Sequence, residues 1–216
     1  YMREKAEDYG LVYQPEPPYE VMATRWLSYD DILVLKGVEE MVEVYYNSRQ
    51  FENSLDWLEG HFPSAFAMYE QMAQYYETKG LDGISHSRMA RYEILLEFVK
   101  ENLNIEETDI FVQILTYDLY LRENVKSRPA WASGQDAYKA AYVEFFKREE
   151  NRARYFSGYE GYTTKQIQRM THIEHFTRDI REGAGGEKDG GVFIWFDYLN
   201  RDPLTYKSRT VEVELW

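Results

Sequence analysis

The sequence predicts a mainly α chain of α+β class: about six helices, then a small C-terminal antiparallel sheet. Three observations lead there. Apolar residues recur every three or four positions from Ile32 to Phe145, the helical period. After Gly161 that period gives way to stretches rich in Thr, Ile and Phe. The closing "RTVEVEL" alternates strictly, with Val211, Val213 and Leu215 on one face and Glu212 and Glu214 on the other.

The opening "YMREKAEDYGLVY" reads as the end of a helix that stops near Gly10 and runs into an extended segment. The first residue is Tyr1, not Met, and the chain is expected to be a piece of a larger protein. Pro15, Pro17 and Pro18 forbid helix and favour an extended linker, and "YEVMATRW" then suits a short strand. Ser28 is a helix start. Its hydroxyl can accept from a free first-turn N–H, and Asp30 and Asp31 place negative charge at the positive helix end. Ile32, Leu35, Val38, Val42 and Tyr45 share a face, and this helix should end near Asn47.

A short helix over "NSLDWLEGHF" is expected to be capped by Asn53 or Ser54. The next should start at Pro63, present Phe66, Tyr69, Ala73 and Tyr76 together, and stop at Gly80. "SHSRMARYEILLEFVKENL" has Met89, Tyr92, Leu96 and Val99 in phase. "ETDIFVQILTYDLYLRENV" has Ile110, Ile114, Tyr117 and Leu121 in phase, widened by Phe111 and Leu115, as a central helix would. "GQDAYKAAYVEFFKREENRARYF" reads as one helix carrying Tyr138, Tyr142 and Phe145. "RMTHIEHFTRDI", "VFIWFDYL" and "RTVEVEL" then read as three antiparallel strands. "GAGGEKDGG" reads as a mobile hairpin and Asp202-Pro203 as the second turn. The pairs Tyr45-Tyr46 and Tyr75-Tyr76 recur, but nothing else repeats with them.

Composition narrows the chemistry. Aromatic residues make up 17% of the chain, more than a disordered segment would carry. The net charge of -13 repels phosphates, so neither nucleic acid nor an anionic membrane is an expected partner. No apolar run approaches the ~18 residues of a membrane span. There is no Cys, which removes thiol catalysis, disulfides and thiolate metal sites from this chain. No Gly-x-Ser-x-Gly elbow appears, and the glycine-rich segment lacks the Gly-Lys-Ser/Thr ending of a phosphate loop.

The one metal-like pattern is "HIEH". On a helix His172 and His175 would share a face and could bind one ion; on a strand they point to opposite faces. The strand reading therefore favours two ordinary polar side chains. His61 and His86 are isolated. Trp26, Trp57, Trp131 and Trp195 would line a groove or pack in a core; their phase with the apolar faces favours the core.

"PPYEVMATRWLSYDDILVLKGVEEMVEVYYNSRQF" resembles the segment that closes the radical S-adenosylmethionine domain of cobalamin-binding radical proteins. The matching phrases are Tyr9-Gly10-Leu11 with Tyr13, Pro18 to Val21, Leu27-Ser28, Leu35-Lys36, and Tyr45-Tyr46-Asn47. The rest, including "FDYLNRDPLTY" from Phe196 to Tyr206, is similar to an accessory C-terminal domain of unknown function that some of these proteins carry. Such proteins are often labelled anaerobic magnesium-protoporphyrin IX monomethyl ester oxidative cyclases, and the wider family includes methyltransferases.

The resemblance implies a parent with an N-terminal cobalamin-binding domain and a central barrel. A Cys-x3-Cys-x2-Cys motif in that barrel holds a [4Fe–4S] cluster that cleaves S-adenosylmethionine. Residues 1–50 would be the barrel end and connecting helix, and 51–216 the accessory domain. No catalytic, cofactor-binding or metal residue carries over, since none of the motif cysteines occurs here. The expected role is a non-catalytic domain that packs on the catalytic domains of its own chain and shapes substrate access, in the cytoplasm. Two other readings compete: a free-standing helical protein-interaction domain, and a metal-dependent hydrolase using His172, Glu174 and His175.

Overall fold

The computed structural model describes residues 5–182 and 186–216, which divide into two compact units. In chain order the elements begin with α1 (Ala6–Tyr9), β1 (Val12–Tyr13), β2 (Val21–Ala23), α2 (Tyr29–Met41), α3 (Glu52–Glu59), α4 (Ala65–Lys79), α5 (Arg88–Asn102) and α6 (Ile105–Arg122). They continue with α7 (Lys139–Lys147), α8 (Glu149–Tyr155), α9 (Thr164–Arg169), β3 (Thr171–Arg178), β4 (Glu187–Asp197) and β5 (Arg209–Glu212). The chain is thus mainly helical, with a three-stranded antiparallel sheet near the C-terminus.

The first unit holds the described residues up to Ser48 together with Glu59–Ser85. Gly10, at φ +58°, ends α1 in a left-handed cap, and β1 and β2 form a short antiparallel hairpin. Ser28 and Asp31 form a reciprocal capping box at the start of α2. The helix runs on as a π-helical turn, Val42–Asn47, close to the predicted end. Helix α4 packs along α2, and a Cβ on Gly37 would lie only 3.0 Å from that of Ala73, so glycine permits a close approach. Beyond it the Tyr45 and Tyr76 hydroxyls share a buried 2.7 Å hydrogen bond. One residue from each tyrosine pair thus meets the other.

The second unit holds Arg49–Leu58 and His86–Trp216. Its sheet has the order β3-β4-β5. Both faces are covered. On one, Ile173, Phe193 and Trp195 pack with Val213, Leu215 and aromatic residues of α7, α8 and the loop after α8. On the other, Phe176, Ile194 and Phe196 pack against Ile114, Tyr117, Tyr120 and Leu121 of α6. Nine residues of α6 are buried, which makes it the central helix, as its phase predicts.

Four expectations need correction. Asn53 and Ser54 do not cap α3, because the helix already begins at Glu52; both instead donate to Asp118. Ser64, not Pro63, is the N-cap of α4, accepting from the Ala67 amide. The helix expected from Gly134 to Phe156 is split: Arg148 is extended, and α7 and α8 flank it. The glycine-rich segment is not all turn. From Glu187 onward it is strand, while Gly183–Gly185 lie outside the described residues.

Candidate functional site

Two parts of the molecule concentrate chemistry: the polar cluster around β3, and the surface between Val12 and Leu35.

In β3, His172 pairs across the sheet with Phe196 and His175 with Phe193, so the two rings lie on opposite faces. A site using His172, Glu174 and His175 together is not formed. Among the described residues no group of three or more His, Cys, Asp or Glu side chains is arranged to hold a metal ion. On the α6 side Glu174, 1% exposed, accepts from Arg128 Nη1 at 2.7 Å, is also bound by Nη2, and meets His172 Nε2 at 2.8 Å. The His172 ring stacks on Tyr120, centroids 3.7 Å apart. Burial, with the charge of Glu174 nearby, pushes the Tyr120 phenol up to about 12.

On the other face the His175 ring packs on Tyr138 and Phe193, with Nε2 3.1 Å from the Gly190 carbonyl. The Gln135 side chain lies against the free edge of β3. It donates to the His175 carbonyl, accepts from the His175 amide and accepts from the Tyr142 hydroxyl at 2.6 Å. Gln113 accepts from the Thr177 amide further along. Two side-chain amides thus satisfy edge groups that would otherwise be open to a foreign strand. The polar groups named here hold the strand, and His175 and Thr177 also border an open surface pocket with Tyr138 and Lys188.

Asp118 and the β4–β5 connection are built the same way. Asp118 is fully buried in α6 and accepts from the backbone amides and side chains of Asn53 and Ser54. It is an anion at the first turn of α3. Burial outweighs those four bonds and raises its carboxyl to about 6. The C-terminal carbonyls of α6 are met by the "DYLNRDPLTYKS" segment. The Tyr198 hydroxyl reaches Tyr120 O and Glu123 O, Arg201 donates to Arg122 O, and the Ser208 amide donates to Leu121 O. The phrase "FDYLNRDPLTY" is therefore a cap for the central helix. Its two aspartates shape the turn, Asp197 accepting from the Leu199 and Asn200 amides and Asp202 from those of Leu204 and Thr205.

The surface from Val12 to Leu35 differs in kind. Half of the eighteen exposed large apolar side chains among the described residues fall in this ninth of the sequence. Trp26 is 69% exposed, Tyr19 62% and Val12 54%. The local structure presents them outward. Thr24 Oγ1 accepts from the amides of Trp26 and Leu27, which turns the chain, and the Trp26 ring lies against that of Tyr9. Tyr19 has a left-handed φ of +56°, uncommon for a residue with a Cβ. In α2, Met41 is the only fully buried residue, although the helix also carries Ile32, Leu33, Val34, Leu35 and Val38. Leu35, expected on the buried face, is exposed. Helical spacing identified an apolar face but could not say what covers it.

The model of the family described as "Protein of unknown function (DUF4080)" matches residues 7–196. No curated protein and no solved structure matches the chain.

Proposed function

The chain belongs to the family described as "Protein of unknown function (DUF4080)", and we propose that it serves as a non-catalytic accessory domain that docks on the catalytic domains of a longer polypeptide. The observation that carries this reading is the bare apolar surface between Val12 and Leu35, on a helix with one buried residue. A contiguous patch of exposed apolar side chains marks an interaction surface, and this segment supplies nine such side chains. The parent suggested by the sequence resemblance is a cobalamin-dependent radical S-adenosylmethionine enzyme, of oxidative-cyclase or methyltransferase type, acting in the cytoplasm. Its [4Fe–4S] cluster, S-adenosylmethionine and cobalamin would all sit in the preceding domains.

The absence of Cys and the engaged histidines support placing the cluster in the preceding domains. A thiolate-bound cluster needs Cys, and there is none. The His172 and His175 rings are already held, one by Glu174 and Tyr120, the other against Gly190 O and Tyr138. No helix of the described residues is long and apolar enough to cross a membrane. The net charge of -13 repels anionic lipid headgroups, so the docking surface is read as one for protein.

Two measurements test the proposal. The reading frame upstream of Tyr1 should encode Cys-x3-Cys-x2-Cys. The isolated chain, incubated anaerobically with iron and sulfide, cobalamin or S-adenosylmethionine, should retain none of them stoichiometrically. A frame without those cysteines would remove the proposed parent. Stoichiometric retention of any of the three would remove the accessory role.

A further inference from the structure

Between α2 and α4 runs a groove of about 440 Å³. Leu33, Val34, Met41 and Ala73 supply its apolar lining, and Gly37 lets the two helices close beneath it. Five carboxylates also line it: Asp30 and Glu40 from α2, Glu70 and Glu77 from α4, and Asp82 just beyond. None of its lining residues is Lys or Arg, and among the described residues no ion pair engages any of the five acids. Leu33 and Val34 are 48% and 40% exposed. An apolar strip flanked by like charges with no counter-ion is half of a complementary surface.

We propose that this groove receives a basic amphipathic helix, with an apolar stripe flanked by Lys or Arg. The lining on α2 runs from Asp30 to Met41, about 17 Å at the helical rise, which suits a guest of three turns or so. The apolar stripe would cover Leu33 and Val34 in the helix-in-groove mode. The flanking cations would meet the acids, setting orientation and speeding encounter more than adding affinity. Anionic lipid is the wrong occupant, because the same acids repel its headgroups. The inference deepens the docking reading and rests on it for the source of the helix, which would lie in the preceding domains.

The test uses the 216-residue chain and three fluorescent peptides of about 14 residues. The first carries Leu at i, i+3, i+4 and i+7, flanked by Lys. The second has Glu in place of Lys. The third has the composition of the first, reordered to abolish the stripe. Saturable binding of the first alone is expected, weakening as salt rises. Glu40→Lys with Glu77→Lys should weaken it at least tenfold, and so should Leu33→Ser with Val34→Ser. These side chains are exposed, so the variants should keep the wild-type melting temperature. Equal binding of the reordered peptide would overturn the groove and leave only general attraction to an acidic protein. So would binding indifferent to both double variants, or no binding of the first peptide. None of those results touches the docking reading, which the upstream frame tests separately.

Discussion

Glu174 and Asp118 are two of the three buried acids among the described residues, and their partners define their roles. Replacing Glu174 by Gln keeps the volume but removes the counter-charge of Arg128 and puts an NH2 donor in place of one of the two acceptor oxygens that Arg128 and His172 share. Breaking a buried pair on one side typically costs about 3 kcal/mol. Urea unfolding of Glu174→Gln should show a loss near that size with an unchanged slope. Asp118 behaves differently with pH. Its folded value of about 6 exceeds the ordinary 3.8, so the folded state binds a proton that the unfolded chain releases. The stability this group contributes is complete below about pH 4 and is lost as pH rises through 6, with a slope of up to about 1.4 kcal/mol per pH unit. Asp118→Asn cannot titrate, so the wild type should gain stability relative to it as pH falls from 7 to 4. Parallel pH profiles would show that the four donors, not burial, dominate the site.

Helix α6 depends on a segment almost eighty residues further on. Removing the Tyr198 hydroxyl or the Arg201 guanidinium frees C-terminal carbonyls of α6, and each change should cost about 1 kcal/mol, readable as a lowered melting temperature. Gly191 tolerates less. At φ +69° its added Cβ would sit 2.3 Å from His175 Nε2 and 2.4 Å from Phe176 O, so Gly191→Ala should destabilise by about 2 kcal/mol or more. These elements show what a sequence reveals and what it hides. The alternation of Val211, Val213 and Leu215 announced the last strand, which ends at Glu212 while Val213 and Leu215 still turn inward, and the stripe on α6 announced the central helix. Both are short-range patterns. The cap on α6 is long-range, and "DPLT" announces a turn without naming the helix it will cover. Helix α9 has a short-range signal too, a Thr163–Gln166 capping box at the spacing that marks a helix start. The split at Arg148 carries no proline or glycine to announce it.

At the scale of the whole molecule, the contrast is between a second unit whose sheet is covered on both faces and a first unit whose helix α2, packed on α4, leaves Leu33, Val34 and Leu35 exposed. Sequence periodicity treats Leu35 and Leu96 alike, yet one is exposed and the other buried, because only packing partners decide. In the proposed parent, those partners lie in another part of the polypeptide. Trp26→Asp should therefore leave the isolated chain's stability within about 0.5 kcal/mol, since the residue is 69% exposed. In the full-length protein the same change should weaken the hold of this domain on the rest, seen as easier proteolytic separation. The most direct measurement is hydroxyl-radical footprinting of Tyr19, Trp26 and Leu33, in the isolated chain and in the polypeptide encoded by the complete reading frame. The account predicts rapid oxidation of all three in the isolated chain and several-fold protection in the longer protein. Equal oxidation in both would mean that this surface is not where the domain docks.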